Sequence, residues 1–153
     1  MNTTLLTLPF LVQGALMGVD EGWFHRRRGL PRWERIGHPL DTLTVTACYA
    51  WLVFRRPEMP GALAVYAALA IASCLFVTKD EFVHKQLCSA KESWIHALLF
   101  GLHPIAFFAA GLLWLEDPNN VILKAQLALT SSFALYQGIY WGPWNRTPTR
   151  SAV

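Results

Sequence analysis

Glutamate and histidine residues recur at helical spacing in this sequence and could together bind metal ions. Residues three or four positions apart lie on one face of a helix. Each such pair therefore projects a carboxylate and an imidazole in a common direction. Four pairs have this pattern, three with a spacing of four positions and the last with a spacing of three: Glu21 and His25, Glu34 and His38, Glu92 and His96, and Glu81 and His84.

These eight groups exceed what a single tetrahedral zinc ion needs. They suit two metal ions bridged by carboxylates, the arrangement that four-helix di-iron proteins build from inward Glu and Glu-x-x-His ligands. The mixed oxygen and nitrogen donors favour iron, with manganese and zinc as alternatives, over metals that prefer thiolates. We expect the nearby carboxylates of Asp20, Asp41 and Asp80 to orient the imidazoles without binding metal themselves.

Three further residues are candidate catalytic groups. His103 lies seven positions after His96, hence on the same helix face and about 10 Å deeper. Tyr136 and Tyr140, near the end of the last predicted helix, would cover the site. A buried histidine with satisfied hydrogen bonds explains His103 equally well. Anchoring at the membrane interface explains the tyrosines at least as well.

The ligand-type residues form an internal repeat. The offset between matched positions is 60 at the two acidic residues, 59 at the next histidine and 58 at the last two positions, and we assign its drift to a connecting loop. Each copy, residues 4–56 and 61–116, predicts a helical hairpin. The hairpins have the same topology, so we expect an approximate two-fold axis along the membrane normal. The matched residues are Asp20, Glu21, His25, Glu34 and His38, and then Asp80, Glu81, His84, Glu92 and His96.

The segments that position these residues are long and apolar. Hydrophobic residues make up 54% of the chain and charged residues 15%, against roughly 25% charged in soluble domains. The stretches 1–19, 59–78, 93–115 and 125–144 contain no Asp, Glu, Lys or Arg, and each approaches the ~20 residues that span a bilayer. We predict one all-α integral membrane domain over 1–153. Its five transmembrane helices cover about 4–25, 31–54, 61–84, 92–115 and 121–141, and the first four form a bundle of two tandem hairpins.

The basic residues predict the orientation of these helices. Ten of the 13 Lys and Arg residues lie in the connections after the first and third helices or in the C-terminal tail, and three lie on the opposite side. The side rich in basic residues is expected in the cytoplasm. The sequence thus predicts a multi-pass protein, of the bacterial inner membrane, with its N-terminus outside and its C-terminus in the cytoplasm.

Several classes of function are excluded by what the sequence lacks. It has no basic face interleaved with stacking aromatics, so nucleic-acid binding is not expected. Its three cysteines form no Cys-x-x-Cys pair, which disfavours disulfides and thiolate zinc sites. Histidines at the cytoplasmic ends of membrane helices are loosely similar in design to membrane di-iron desaturases and hydroxylases. The His-x-x-x-His and His-x-x-His-His motifs of those enzymes are absent, so no residue roles carry over.

The function predicted from these features is a membrane-embedded, non-haem di-metal oxidoreductase, with iron the favoured metal. Its substrate would be lipophilic, such as a lipid, quinone or isoprenoid that enters from the bilayer, and the sequence identifies no redox partner. The alternatives are a single-zinc hydrolase acting on a lipid and a haem electron-transfer subunit with paired histidines. A metal or proton carrier and a purely structural membrane subunit are further alternatives.

Overall fold

The computed structural model describes residues 2–82 and 87–142, and these residues form five helices. The first helix, α1, comprises an α-helix over Thr3–Val19, a π-helical segment over Asp20–His25 and a short α-helical turn over Arg26–Arg28. The others are α2 (Arg32–Phe54), α3 (Ala62–Val77, extended by a 3-10 turn over Thr78–Asp80), α4 (Ala90–Glu116) and α5 (Val121–Tyr140). The helices thus lie where the apolar stretches predicted them.

The helix ends follow from local side chains and glycines. Asn2, Ser89 and Asn120 begin α1, α4 and α5, and the side-chain oxygen of each accepts a hydrogen bond from a backbone N–H of the first turn. Gly29, which follows α1, has φ 74°, a conformation that costs a glycine little. Its N–H donates to the carbonyl of His25 at 2.8 Å. The sharp turn that follows leads directly into α2.

Three of the five helices are long and apolar enough to cross a membrane: Thr3–Arg28, Ala62–Asp80 and Ala90–Glu116. This indicates a membrane protein. The α2 and α5 helices do not meet that criterion. The first part of α2 carries Arg32, Glu34, Arg35 and Asp41, and α5 carries polar residues along its length.

The helices pack across the predicted hairpins more than within them. The α1 helix packs mainly against α4, whereas α2 packs against α5 and α3. One half of the molecule contains an apolar core, which includes Leu52, Tyr66, Leu113 and Trp114. The other half contains the buried polar residues described below. The acidic and histidine residues of α1, α2, α3 and α4 therefore lie together in this second half of the bundle.

Candidate metal centre

A cluster of buried acidic and histidine side chains lies where the end of α1 meets the starts of α2 and α4 and the end of α3. Such groups are costly to bury in a membrane protein and are usually paired or functional. Seven of the ligand-type residues singled out in the sequence are buried here: Asp20, Glu21, His25, Glu34, Asp80, Glu92 and His96. His38 and Asp41 adjoin them and are partly buried.

The first group of ligand-type atoms comes from Asp20, His25, Glu92 and His96, and lies between α1 and α4. One ligand atom from each of the four residues lies within 4.8 Å of all the others. The Asp20 carboxylate lies between two imidazoles: its Oδ1 is 3.0 Å from His96 Nε2 and its Oδ2 is 3.3 Å from His25 Nε2. Asp20, expected only to orient the imidazoles, therefore lies at the centre of the group.

The π-helical segment explains why Asp20 and His25 meet. In a π-helix the backbone hydrogen bonds join residues i and i+5, so side chains five positions apart lie on the same side of the helix. The spacing of an α-helix predicts only the contact of His25 with Glu21, which is also present, with Nδ1 3.4 Å from Glu21 Oε2. Both nitrogens of His25 therefore face carboxylates.

Glu21 supports His25 from the side away from Asp20. Its Oε1 accepts a short hydrogen bond from the indole N–H of Trp141, just beyond α5, while its Oε2 contacts His25 Nδ1. A carboxylate on the second ring nitrogen fixes the orientation of an imidazole and leaves the other nitrogen to bind metal. The position of Glu21 therefore fits an orienting role better than the predicted role of a ligand.

A second group of ligand-type atoms comes from His38, Asp41 and Asp80, which join α2 to the end of α3. The ammonium of Lys79 lies 2.6 Å from Asp41 Oδ1 and 3.1 Å from Asp80 Oδ1. Gly37 allows this close approach, because a Cβ there would lie 3.3 Å from Asp80 Oδ1. The second group thus contains two carboxylates expected only in orienting roles, together with a cation that the sequence analysis did not connect to it.

The two groups adjoin each other through their histidines. The rings of His25 and His38 are 4.7 Å apart between centroids, and those of His25 and His96 are 6.1 Å apart. Three of the four predicted histidine ligands are therefore brought together.

Arg28 occupies the space between two of the predicted glutamate ligands. Its Nη2 donates to Glu34 Oε2 at 2.9 Å and to Glu92 Oε1 at 3.0 Å, and its Nε donates to the same Glu92 oxygen at 3.1 Å. An arginine therefore neutralises part of the carboxylate charge at this pair. Of the two, only Glu92 also belongs to a ligand group.

One other predicted ligand that the structure describes does not belong to the cluster. Glu81, at the end of the 3-10 turn, is exposed and belongs to neither ligand group. Its side chain leaves the bundle because the turn ends with Asp80 facing inward. The prediction for His84 lies outside the described residues.

Cys88, in the connection before α4, is partly buried. Burial, and to a lesser extent the neighbouring carboxylate of Glu92, raises the pKa of its thiol. A protonated thiol is a weak metal ligand, in line with its omission from the predicted ligand set.

A cavity of about 350 Å³ extends from the two groups into the apolar part of the bundle. His103 lines it, and both of its ring nitrogens are hydrogen-bonded, Nδ1 to Gln13 Nε2 and Nε2 to Ser73 Oγ, each at 3.2 Å. Of the two alternatives for His103, the structure therefore has the buried histidine with satisfied hydrogen bonds. Gln13 and Ser73 gave no signal in the sequence, because isolated polar residues in apolar helices have no characteristic spacing.

The two candidate catalytic tyrosines lie beside the cluster. Tyr136 and Tyr140 stack with their ring centroids 5.4 Å apart, and the guanidinium of Arg26 lies 5.3 Å from the Tyr140 ring centroid. Neither is among the described residues that line the cavity, whereas Phe133 and Gln137 of the same helix are. The catalytic role expected of the tyrosines stays a prediction.

The donors of the first group fit a metal ion. Ligands about 2.0–2.2 Å from an ion lie about 3.3 Å apart in a tetrahedron and up to about 4.2 Å apart across an octahedron. The observed limit of 4.8 Å requires only small side-chain movements. In addition, the buried Nε2 of His25 points towards Asp20 without hydrogen-bond geometry. These buried groups could hold a metal ion.

Comparison with known proteins gave no match: no protein-family model fits the chain, and no curated protein or solved structure is similar to it.

Proposed function

We propose that this chain is a membrane-embedded metal-dependent oxidoreductase acting on a lipophilic substrate. The observation that carries the proposal is the position of two adjoining groups of buried carboxylates and imidazoles at one end of an apolar cavity. A largely apolar pocket with a few convergent polar groups is typical of a small-molecule site. Here the polar groups are of the types that bind iron, manganese or zinc.

The proposed centre contains two metal ions, with iron favoured. His25, His96, Asp20 and Glu92 would hold one ion, and His38, Asp41 and Asp80 the other. A bound iron pair would supply the redox chemistry. The protein would contribute the geometry: Glu21 and Trp141 orient His25.

The cavity walls would keep water from the reacting atoms. Arg28, which belongs to neither ligand group, would balance the charge of Glu34 and Glu92.

The proposed internal duplication is supported by two equivalent contacts, in each of which an aspartate of one copy meets a histidine of the other. Asp20 of the first copy contacts His96 of the second, and Asp80 of the second copy lies in the same ligand group as His38 of the first. The packing of α1 on α4 likewise corresponds to the packing of α3 on α2. A two-fold axis between tandem hairpins would produce both correspondences. We further propose that all five helices span the bacterial inner membrane, with the N-terminus outside.

A single-zinc hydrolase is the second candidate, and the contacts of Lys79 favour it. The ammonium already balances the two carboxylates of the second group, so a single ion in the first group would suffice. Two histidines and a carboxylate with an open position form a typical catalytic zinc site. A haem held between His25 and His38 is disfavoured, because rings 4.7 Å apart leave no room for a porphyrin between them.

Metal analysis of the detergent-purified full chain tests these proposals. We expect about two iron ions per chain, lost in His96→Ala and in Glu92→Gln. Matched controls are His103→Ala, which removes a histidine outside both ligand groups, and Glu81→Gln, which changes an exposed glutamate. Both controls should retain the metal.

Metal-free wild-type protein, or equal loss in Glu81→Gln and Glu92→Gln, would contradict the proposed centre. One zinc per chain that persists in His38→Ala would select the hydrolase.

A further inference from the structure

The cavity has the dimensions of a slot for one extended hydrocarbon chain. Its lining residues on α1 run from Phe10 to His25, and those on α5 run over eleven positions, from Gln126 to Gln137. Eleven positions correspond to about 16 Å along a helix. Since the cavity volume is about 350 Å³, the slot is long and narrow.

The two ends of the slot differ in chemistry. Phe10 and Tyr49 are both buried and close the far end, where their rings make an edge contact with centroids 6.3 Å apart. The near end contains the two ligand groups. Between the two ends, the walls of the slot are largely apolar, with Met17, Val45 and Phe133 among the lining residues. A ligand with one polar end and one apolar chain matches this distribution.

The charge of the side chains that line the slot favours one kind of polar end for the lipid. Among the described residues that line the slot, four are carboxylates and none is lysine or arginine. Lys79 contacts only Asp41 and Asp80 of the four, so in the absence of a bound metal ion a lipid that ends in a carboxylate or a phosphate would meet repulsion. An ammonium end would compete with the proposed metal ions for the same carboxylates. An uncharged hydroxyl avoids both costs.

The slot opens to the outside of the bundle between α1 and α5. Gly14 and Gly18 of α1 line it and are exposed, and a Cβ added at either would meet no atom within 4 Å. Leu129, which lines it from α5, is 59% exposed. In a membrane, this surface faces acyl chains, so a lipid can reach the slot without passing through water.

We propose that the slot binds one chain of an uncharged lipid alcohol of about a dozen carbons, since a zigzag of ~1.5 Å bonds extends a little over 1.2 Å per carbon. The chain enters between α1 and α5. Its hydroxyl lies at the ligand groups and its tail contacts Phe10 and Tyr49. The orientation of the hydroxyl rests on the proposed function, whereas binding of the chain depends only on the slot.

Photolabelling of the purified full chain tests this proposal. The probes are alcohols of about 8, 12 and 16 carbons with a diazirine on the terminal carbon, and labelled residues are located by mass spectrometry. A steroid-based detergent avoids competition from a detergent alkyl chain. We expect the middle probe to label the region around Phe10 and Tyr49 most strongly. Phe10→Ala should shift the preference to the longest probe.

Two matched comparisons test the entrance and the polar end. Gly18→Leu fills the entrance and should reduce labelling about tenfold, as expected from the loss of about two buried methylenes. Gly101→Leu is the control, because Gly101 is exposed on α4, outside the slot, with no atom within 4 Å of an added Cβ. In chelator-treated protein, the fatty acid of the same length should label about tenfold less than the alcohol, since four carboxylates line the slot and Lys79 contacts only two of them. Equal labelling in the two glycine variants, or by acid and alcohol, would overturn the proposal.

Chelator-treated protein separates this proposal from the metal centre. Labelling around Phe10 and Tyr49 should persist after chelation, because the walls of the slot do not depend on an ion. A chain that contains no metal but is labelled as expected would contradict the proposed function alone. A chain that binds metal but is not labelled would contradict the lipid proposal alone.

Discussion

The Arg28→Met substitution removes the cation that lies between two buried glutamates. The Arg28 side chain is 4% exposed, and those of Glu34 and Glu92 are 0% and 2% exposed. Its guanidinium makes three hydrogen bonds to them, at 2.9–3.1 Å. Methionine preserves much of the volume and the flexible stem, but leaves two carboxylates close together with neither a cation nor those hydrogen bonds.

The expected loss follows from the burial of this cluster. Removing one partner of a buried ion pair costs about 3–5 kcal/mol, because the remaining charge is neither solvated nor paired. Two carboxylates are left here, so we expect the upper part of that range. In the triple variant, with Glu34→Gln and Glu92→Gln added, most of the loss should be recovered, since replacing all the charges of a buried cluster is often nearly neutral.

Chemical unfolding of the detergent-solubilised protein, followed by tryptophan fluorescence, measures these differences. Arg27→Met is the matched control: the Arg27 guanidinium lies 3.4 Å from the Trp23 ring centroid, but the residue is exposed. This contact should contribute no more than about 1 kcal/mol. The reasoning is refuted if Arg28→Met costs no more than Arg27→Met, or if the triple variant is less stable than Arg28→Met.

Three further substitutions test other contacts. Gly37→Ala places a methyl group 3.3 Å from Asp80 Oδ1, so elemental analysis should show loss of the ion from the second group alone; full occupancy would contradict this. Lys79→Met removes the ammonium from two carboxylates and should strengthen divalent-cation binding at least about tenfold in a metal titration, so unchanged affinity would mean that the ammonium does not compete. Tyr66→Phe removes the 2.7 Å hydrogen bond to the Phe107 carbonyl and should cost about 1 kcal/mol in unfolding, with a loss above 3 kcal/mol pointing to a different role.

The positions of the helices could be predicted because apolar runs bounded by loop residues mark them, even in α2 and α5, which are less apolar than the other three. The predicted segment 31–54 and the observed Arg32–Phe54 differ by one residue, and 121–141 differs from Val121–Tyr140 by one at its end. Deviations were larger where polar residues take part in the helix: α1 continues to Arg28, beyond the predicted end at 25. There the buried contacts of Arg28 stabilise an extra turn that local sequence does not specify.

The site could be predicted only as a set of residues, without its pairings. Helical spacing grouped glutamates with histidines on the same helix, but three of the contacts that define the cluster join different helices. His96 contacts Asp20 of α1, and Glu92 and Glu34 both bind Arg28. Such contacts depend on how far each helix is rotated about its axis. A repeat in one sequence fixes which residues correspond, but not which face each helix presents.

The π-helical segment accounts for one step in the offset between the two copies. His25 lies five positions after Asp20, whereas His84 lies four positions after Asp80. The sequence alone favours a connecting loop as the place of the whole drift, but this step lies inside α1, at Asp20–His25. A π-helical turn accommodates one extra residue by widening a single turn, so the residues after it keep their rotation about the helix axis. The first copy thus carries an additional residue and still brings His25 to the cluster. Without the π-helical turn, the extra residue would rotate every later side chain of α1 about the helix axis. The turn keeps His25 directed at the cluster in spite of the extra residue, and this supports the proposed duplication.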